Sequence, residues 1–200
     1  MMNRRDRITW NCQARINMVN FEMLKNMKQA GCWKICFGIE SGSQRILDIM
    51  KKSQKVSKSI DVVNLAKKAG LEVEGYFIMG YLGEDEDSLK ETIAYIKRIK
   101  LNNMFLSYFV PFPGSEAYKT AHQYGVFEDD WKNLDIFNKP KFIPNGLTSE
   151  KLIYFQKKAY RVFYFSPRIA IYYFKKLLKP ETTIRTFRAF FSFMNFIWRQ

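Results

Sequence analysis

The stretch Glu72-Val73-Glu74-Gly75-Tyr76-Phe77-Ile78-Met79-Gly80-Tyr81-Leu82-Gly83-Glu84, with the run Asp85–Lys100 behind it, decides the fold. Residues 72–79 are β-branched and aromatic enough for a strand. Two glycines then let the chain turn. Glu86–Lys100 follows with Leu89, Ile93, Ile96 and Ile99 on one helical face and acids in its first turn, where the helix dipole favours them. Strand, glycine turn and amphipathic helix make one βα unit.

The same unit recurs on both sides. Upstream, 7–13 (RITWNCQ) reads as a strand. Residues 20–30 read as a helix, with Asn20 as its cap and Gly31 as its stop. Residues 33–39 (WKICFGI) form a second strand. Ser43–Lys51 is a short helix, and Ser57–Ala69 is another, with Ser57 as N-cap and Gly70 just past its end. Downstream, 104–110 (MFLSYFV) is a strand that ends in the turn Pro111-Phe112-Pro113-Gly114. Ser115–Tyr124 is a helix stopped by Gly125. Alternating strands and helices imply a parallel sheet. Four strands are too few to close an α/β barrel, and an open sheet of four would expose an edge. The pattern fits the second half of a barrel whose first strands lie upstream.

From Thr148 the pattern turns all-helical, with expected helices over Thr148–Phe165, from Pro167 to about Lys179, and over 181–198. We therefore divide the chain into a barrel-like body, 1–147, and a helical tail, 148–200. The net charge is +14, and residues 151–200 hold eleven Lys/Arg against one acid, Glu181, together with fifteen of the 33 aromatics. Such a tail suits a cap on the barrel or peripheral contact with an acidic membrane surface. Nucleic acid is disfavoured, because no recognised binding motif is present. Phe187–Trp198 is broken by Arg188, Ser192 and Asn195 and is too short to cross a bilayer. No signal peptide is evident, and three cysteines (Cys12, Cys32, Cys36) fit a reducing cytosol better than a disulfide scaffold.

Parallel α/β enzymes bind ligands at the carboxyl ends of their strands. After the second strand comes Gly38-Ile39-Glu40-Ser41-Gly42-Ser43, small residues around one carboxylate that could accept from ribose hydroxyls or an amine. Read alone, this is more simply a Gly/Ser turn with Glu40 as a solvated side chain or local cap. After the third comes Gly80-Tyr81-Leu82-Gly83-Glu84-Asp85, either a cleared path to a ligand or a turn with acidic helix caps. After the fourth comes the proline turn.

In order and spacing, these segments resemble radical S-adenosylmethionine (SAM) proteins. The motif residues are Ala30-Gly31-Cys32…Phe37-Gly38-Ile39-Glu40-Ser41-Gly42-Ser43…Leu47…Lys52, then Ala69-Gly70-Leu71…Gly75-Tyr76-Phe77-Ile78-Met79-Gly80-Tyr81-Leu82-Gly83-Glu84, then Ser107–Ser115 around Pro111-Phe112-Pro113-Gly114. Within that family, the segments resemble the cobalamin-binding group that includes anaerobic Mg-protoporphyrin ester cyclase-like proteins. Ala159–Arg168 is similar to the end of such proteins, and the likeness covers roughly 8–170.

The resemblance implies an α/β chain: the second half of a partial (βα)6 TIM-like barrel, followed by a C-terminal helical extension. It implies SAM as cofactor, with Glu40, Ser41 and Gly42 by its ribose and methionine part. Ile78 would pack on its adenine, Gly80 would give access, and Val110 and Pro111 would line the adenine side. Arg15 would pair with its carboxylate. It implies a [4Fe–4S] cluster that cleaves SAM to a 5′-deoxyadenosyl radical, a small-molecule or lipid-like substrate, and cobalamin in the complete protein.

The sequence departs from the family in one respect that matters. The Cys-x3-Cys-x2-Cys loop for the cluster is absent; Cys32 and Cys36 keep only the first spacing, and Ile39 stands where the third Cys would be. The early strands, with their glycine-rich segment, and a cobalamin domain are also absent from these residues. We expect the three cysteines to act as small hydrophobes, His122 to lie on the surface, and no metal to be bound. A missing amino-terminal half, on the same or a separate chain, is the expected partner. The rival expectation is a non-catalytic membrane-surface or binding module with a degenerate barrel.

Overall fold

The structure is a computed structural model that describes residues 8–127 and 136–178. Its centre is a four-stranded parallel sheet in the order β1-β2-β3-β4. The strands are β1 (Trp10–Ala14), β2 (Cys32–Glu40), β3 (Glu72–Met79) and β4 (Asn103–Tyr108). Helices α1 (Phe21–Gln29), α2 (Gln44–Ile49), α3 (Val56–Lys68) and α4 (Glu86–Arg98) make the crossovers. This is the four-strand half-barrel that the βα periodicity implies.

Local sequence explains most boundaries. Asn20 caps α1 by accepting the Met23 amide, and Gly31, with φ +96°, ends the following turn. Asp85 and Ser88 close a capping box on α4. Helix α3 differs from expectation: Lys55, not Ser57, is its N-cap residue, and the Gln44 side chain supplies the missing acceptor by taking the Val56 amide at 3.0 Å. Strand β4 ends at Tyr108, so Val110 lies beyond it; one further contact, the Phe109 amide to the Met79 carbonyl at 2.8 Å, extends the pairing.

Side chains of a parallel pair point to the same side at matched positions. Ile35 and Phe37 of β2, Val73 and Phe77 of β3, and Met104 and Leu106 of β4 share one face. They form one core with Val62, Val63 and Ala66 of α3 and Leu89, Ile93 and Ile96 of α4. The opposite face carries Asn11, Gln13, Lys34, Cys36, Glu74, Tyr76, Ile78, Asn103, Phe105 and Ser107. Phe105 is 45% exposed there. Parallel sheets ordinarily have both faces covered, so this face has the character of a barrel interior seen from its open side.

The described part of the tail, 148–178, packs on the body and is reached through one more helix and a short ribbon. Helix α5 (Glu116–Tyr124) leads into β5 (Gly125–Phe127), which pairs antiparallel with β6 (Phe142–Pro144). This ribbon was not expected from the sequence pattern. Helices α6 (Ser149–Tyr164) and α7 (Pro167–Leu177) follow, and both contribute to the main core through Leu152, Phe155, Phe163 and Ile169. Helix α6 seals the free edge of β4. The Tyr160 hydroxyl accepts from the Leu106 amide at 3.0 Å and donates to its carbonyl at 3.3 Å, and Gln156 donates to the Phe137 carbonyl at 2.8 Å. The expected helix over 181–198 lies outside the described residues.

Candidate functional site

Because the sheet is parallel, the carboxyl ends of β1–β4 lie along one edge, and the residues singled out by sequence gather there. Arg15 follows β1 and is exposed. Glu40 ends β2, Ile78 and Gly80 end β3, and Val110 and Pro111 follow β4.

Glu40 has the most unusual surroundings. Its φ is +65°, and the β2–β3 register slips between Gly38 and Glu40. Its carboxylate is nearly buried, and Oε1 accepts from Lys52 Nζ at 2.6 Å. A Cβ on Gly38 would stand 2.5 Å from that same oxygen, so the glycine makes room for the carboxylate. Lys52 is itself bracketed by Lys51 (φ +54°) and Ser53 (φ +49°). Among the described residues, the non-glycine residues with left-handed backbone are these two and Glu40. Such conformations are costly and persist where surrounding structure imposes them, often at functional sites. Among the described residues, no bond engages Glu40 Oε2.

Ser41 and Gly42 have their polar groups engaged within the fold. The Ser41 hydroxyl bonds Thr92 Oγ1 at 3.1 Å and accepts the Ser43 amide at 3.1 Å, while the Gly42 amide donates to Thr92 Oγ1 at 3.1 Å. A Cβ on Gly42 would come within 2.5 Å of Tyr95 Cβ and 2.7 Å of Thr92 Cα. Here the absent side chain admits helix α4, and the amides before α2 are already taken. The pair anchors the segment that carries Glu40.

The β3 end is also held from within. Gly80 has φ +80°, and its amide and that of Tyr81 both donate to Glu84 Oε2. Glu84 is 2% exposed, and burial pushes its carboxyl up to about 8, against the opposing pull of the two amides. Of the two acids that could cap the next helix, Asp85 does so, whereas Glu84 is a buried clasp on the Gly80 turn. Ile78 sits half-buried on the inner face beside Ser107. Val110 and Pro111 are buried, and Phe109 stacks edge-on against Tyr81 at 4.5 Å.

The cysteines do not suit a cluster. Cys36, in mid-β2, contacts Glu74 Oε1 at 3.5 Å, and burial raises its thiol above the ordinary range. Cys12 is pushed up to about 11, by burial first and by Cys32 second. Metal ligation needs thiolates, which these environments disfavour. Among the described residues no group of three His, Cys, Asp or Glu side chains could hold a metal ion. His122 is exposed and stacks on Phe127 at 4.5 Å.

Comparison with known proteins agrees with this fold. Residues 3–96 match the model of the radical SAM superfamily. The chain is 32% identical over 165 residues to an uncharacterized methyltransferase of Pyrococcus horikoshii, covering 82% of this chain and 36% of that protein. It is 29% identical over 164 residues to the anaerobic magnesium-protoporphyrin IX monomethyl ester cyclase of Cereibacter sphaeroides, covering 80% of this chain and 26% of the cyclase. The chain thus spans about a third or less of each relative. Among solved structures it is similar in fold to coproporphyrinogen III oxidase of Escherichia coli, a radical SAM enzyme. The TM-score there is 0.57 at 11% identity, over 78% of this chain and 32% of the oxidase. A parallel half-barrel with its candidate residues along the carboxyl edge, matched by this family model and these relatives, places the chain in the radical SAM superfamily.

Proposed function

We propose that this chain supplies the carboxyl-side half of a radical SAM enzyme's barrel and holds SAM at its strand ends. The observation that carries the reading is Glu40. It is a nearly buried carboxylate at the end of β2, in a left-handed conformation, with one oxygen engaged by Lys52 and the other without a bond among the described residues. A carboxylate so placed suits the ribose hydroxyls or the ammonium group of SAM. Arg15, exposed at the adjacent strand end, would pair with the SAM carboxylate. Ile78 offers an apolar surface for adenine, Gly80 lets the backbone approach it, and Val110 and Pro111 wall the far side. Ser41 and Gly42 act indirectly, by fixing the Glu40 segment to α4.

Bound SAM, together with a [4Fe–4S] cluster, supplies one-electron cleavage chemistry. The cysteines of this chain do not fit that cluster, so its ligands belong to residues beyond these 200, on the same or a separate polypeptide. The half-exposed inner face of the sheet supports such a complement, because a further half-barrel would cover it. The names of the relatives favour methyl transfer or cyclisation as the reaction class; cobalamin, implied by the sequence resemblance alone, would be a further cofactor of the complete protein.

The test uses the enzyme completed by its cysteine-bearing half and reconstituted without oxygen. Glu40→Ala should weaken SAM binding at least about tenfold, the equivalent of one charge-assisted hydrogen bond. Unchanged SAM binding and turnover would sink the assignment.

A further inference from the structure

We propose that the outward face of α7 is a docking surface for an anionic lipid bilayer. The inference is independent of the SAM reading. At about 100° per residue, Ile171, Phe174 and Leu178 fall within an arc of about 60°, opposite Ile169. Ile169 is buried in the core, whereas the other three are 56%, 63% and 68% exposed. Phe165, at the junction with α6, is 60% exposed. An apolar row left in water along a helix marks a surface that meets something less polar.

Charge selects the occupant. Residues 151–178 hold seven Lys/Arg and no acid. Three of the seven bind the body: Lys151 pairs with Glu86, Lys176 with Glu72, and Arg168 donates to the Ile99 and Leu101 carbonyls at the end of α4. Lys158, Arg161 and Lys175 remain exposed, and Lys175 lies about 70° around the helix from the centre of the α7 row. An apolar row flanked by an exposed lysine, on a helix without acids, is the pattern of a helix lying in a bilayer interface, its row among the acyl chains and its cation among anionic headgroups. Among the described residues no helix is long and apolar enough to cross a membrane, so the contact is peripheral. Nucleic acid fits less well, because aliphatic Ile171 and Leu178 offer no stacking surface to a base.

The test is co-sedimentation of the full chain with phosphatidylcholine vesicles, with and without phosphatidylglycerol. Binding should require the anionic lipid and weaken with added salt. The variant I171S/F174S/L178S changes only exposed positions and should keep the wild-type circular dichroism. It should bind on the order of 100-fold more weakly, since three partly exposed apolar side chains are lost. Lys175→Glu should weaken binding to anionic vesicles as well. Four results would each overturn the inference: no vesicle binding by the wild type; equal binding by the triple variant; pelleting without vesicles that the triple variant abolishes, which assigns the face to a second copy; or loss of binding once a cysteine-bearing half is supplied, which assigns it to that half.

Discussion

Glu84 gives the sharpest physical prediction. Its carboxyl is buried and holds the amides of Gly80 and Tyr81, and its value rises from the ordinary 4.5 to about 8. The folded chain therefore keeps a proton that the unfolded chain releases. Its contribution to stability is fully present below about pH 4.5 and is lost as pH rises towards 8. Each pH unit between the two values is worth about 1.4 kcal/mol, so the complete titration removes about 4–5 kcal/mol. Glu84→Gln keeps an acceptor for the two amides and removes the titration. Urea unfolding at pH 5 and pH 8.5 should show the wild type losing several kcal/mol more than E84Q over that interval. Parallel pH dependence in the two proteins would refute the argument and show that Glu84 is ionised in its pocket.

Two further variants test the frame around the site. Lys52→Met leaves the Glu40 carboxylate nearly buried without its cation and should cost about 1–3 kcal/mol in urea unfolding; adding Glu40→Gln should restore part of that loss. Tyr160→Phe strips the edge of β4 of its hydroxyl partner, so it should cost about 1–3 kcal/mol and speed amide exchange at Leu106.

The readable parts of this chain are those governed by neighbours in sequence. Strand β3 lies at 72–79 as its composition implies, α4 buries Leu89, Ile93 and Ile96, and Asn20 caps the helix it precedes, while Ile99, expected on the same helical face, is buried just past the helix end at Arg98. What escaped depends on contacts between distant residues. Ser57 looked like a cap, yet the Gln44 side chain reaches Val56 first. Strands β5 and β6 have three residues each, too few to show a period of two, and Gly125 read only as a helix stop. It is needed because a Cβ there would sit 2.2 Å from the Ile143 carbonyl oxygen.

The site shows the same division. Its candidate positions came from the rule that ligands sit at the carboxyl ends of parallel strands, together with the family resemblance. The jobs of individual residues did not. Gly42 serves α4, and Lys52 reaches Glu40 across α2. Glu84 turns inward because the Gly80 turn leaves two amides facing it.

The central claim is that SAM lies across the carboxyl ends of these strands. Amide hydrogen exchange on the completed, reconstituted enzyme, with and without SAM, tests it most directly. SAM should slow exchange at Glu40–Ser43 and Ile78–Tyr81 and leave the amino ends of the same strands, near Lys34 and Glu72, unchanged. Protection confined to the amino ends, or absent from both segments while SAM is bound, would contradict the account.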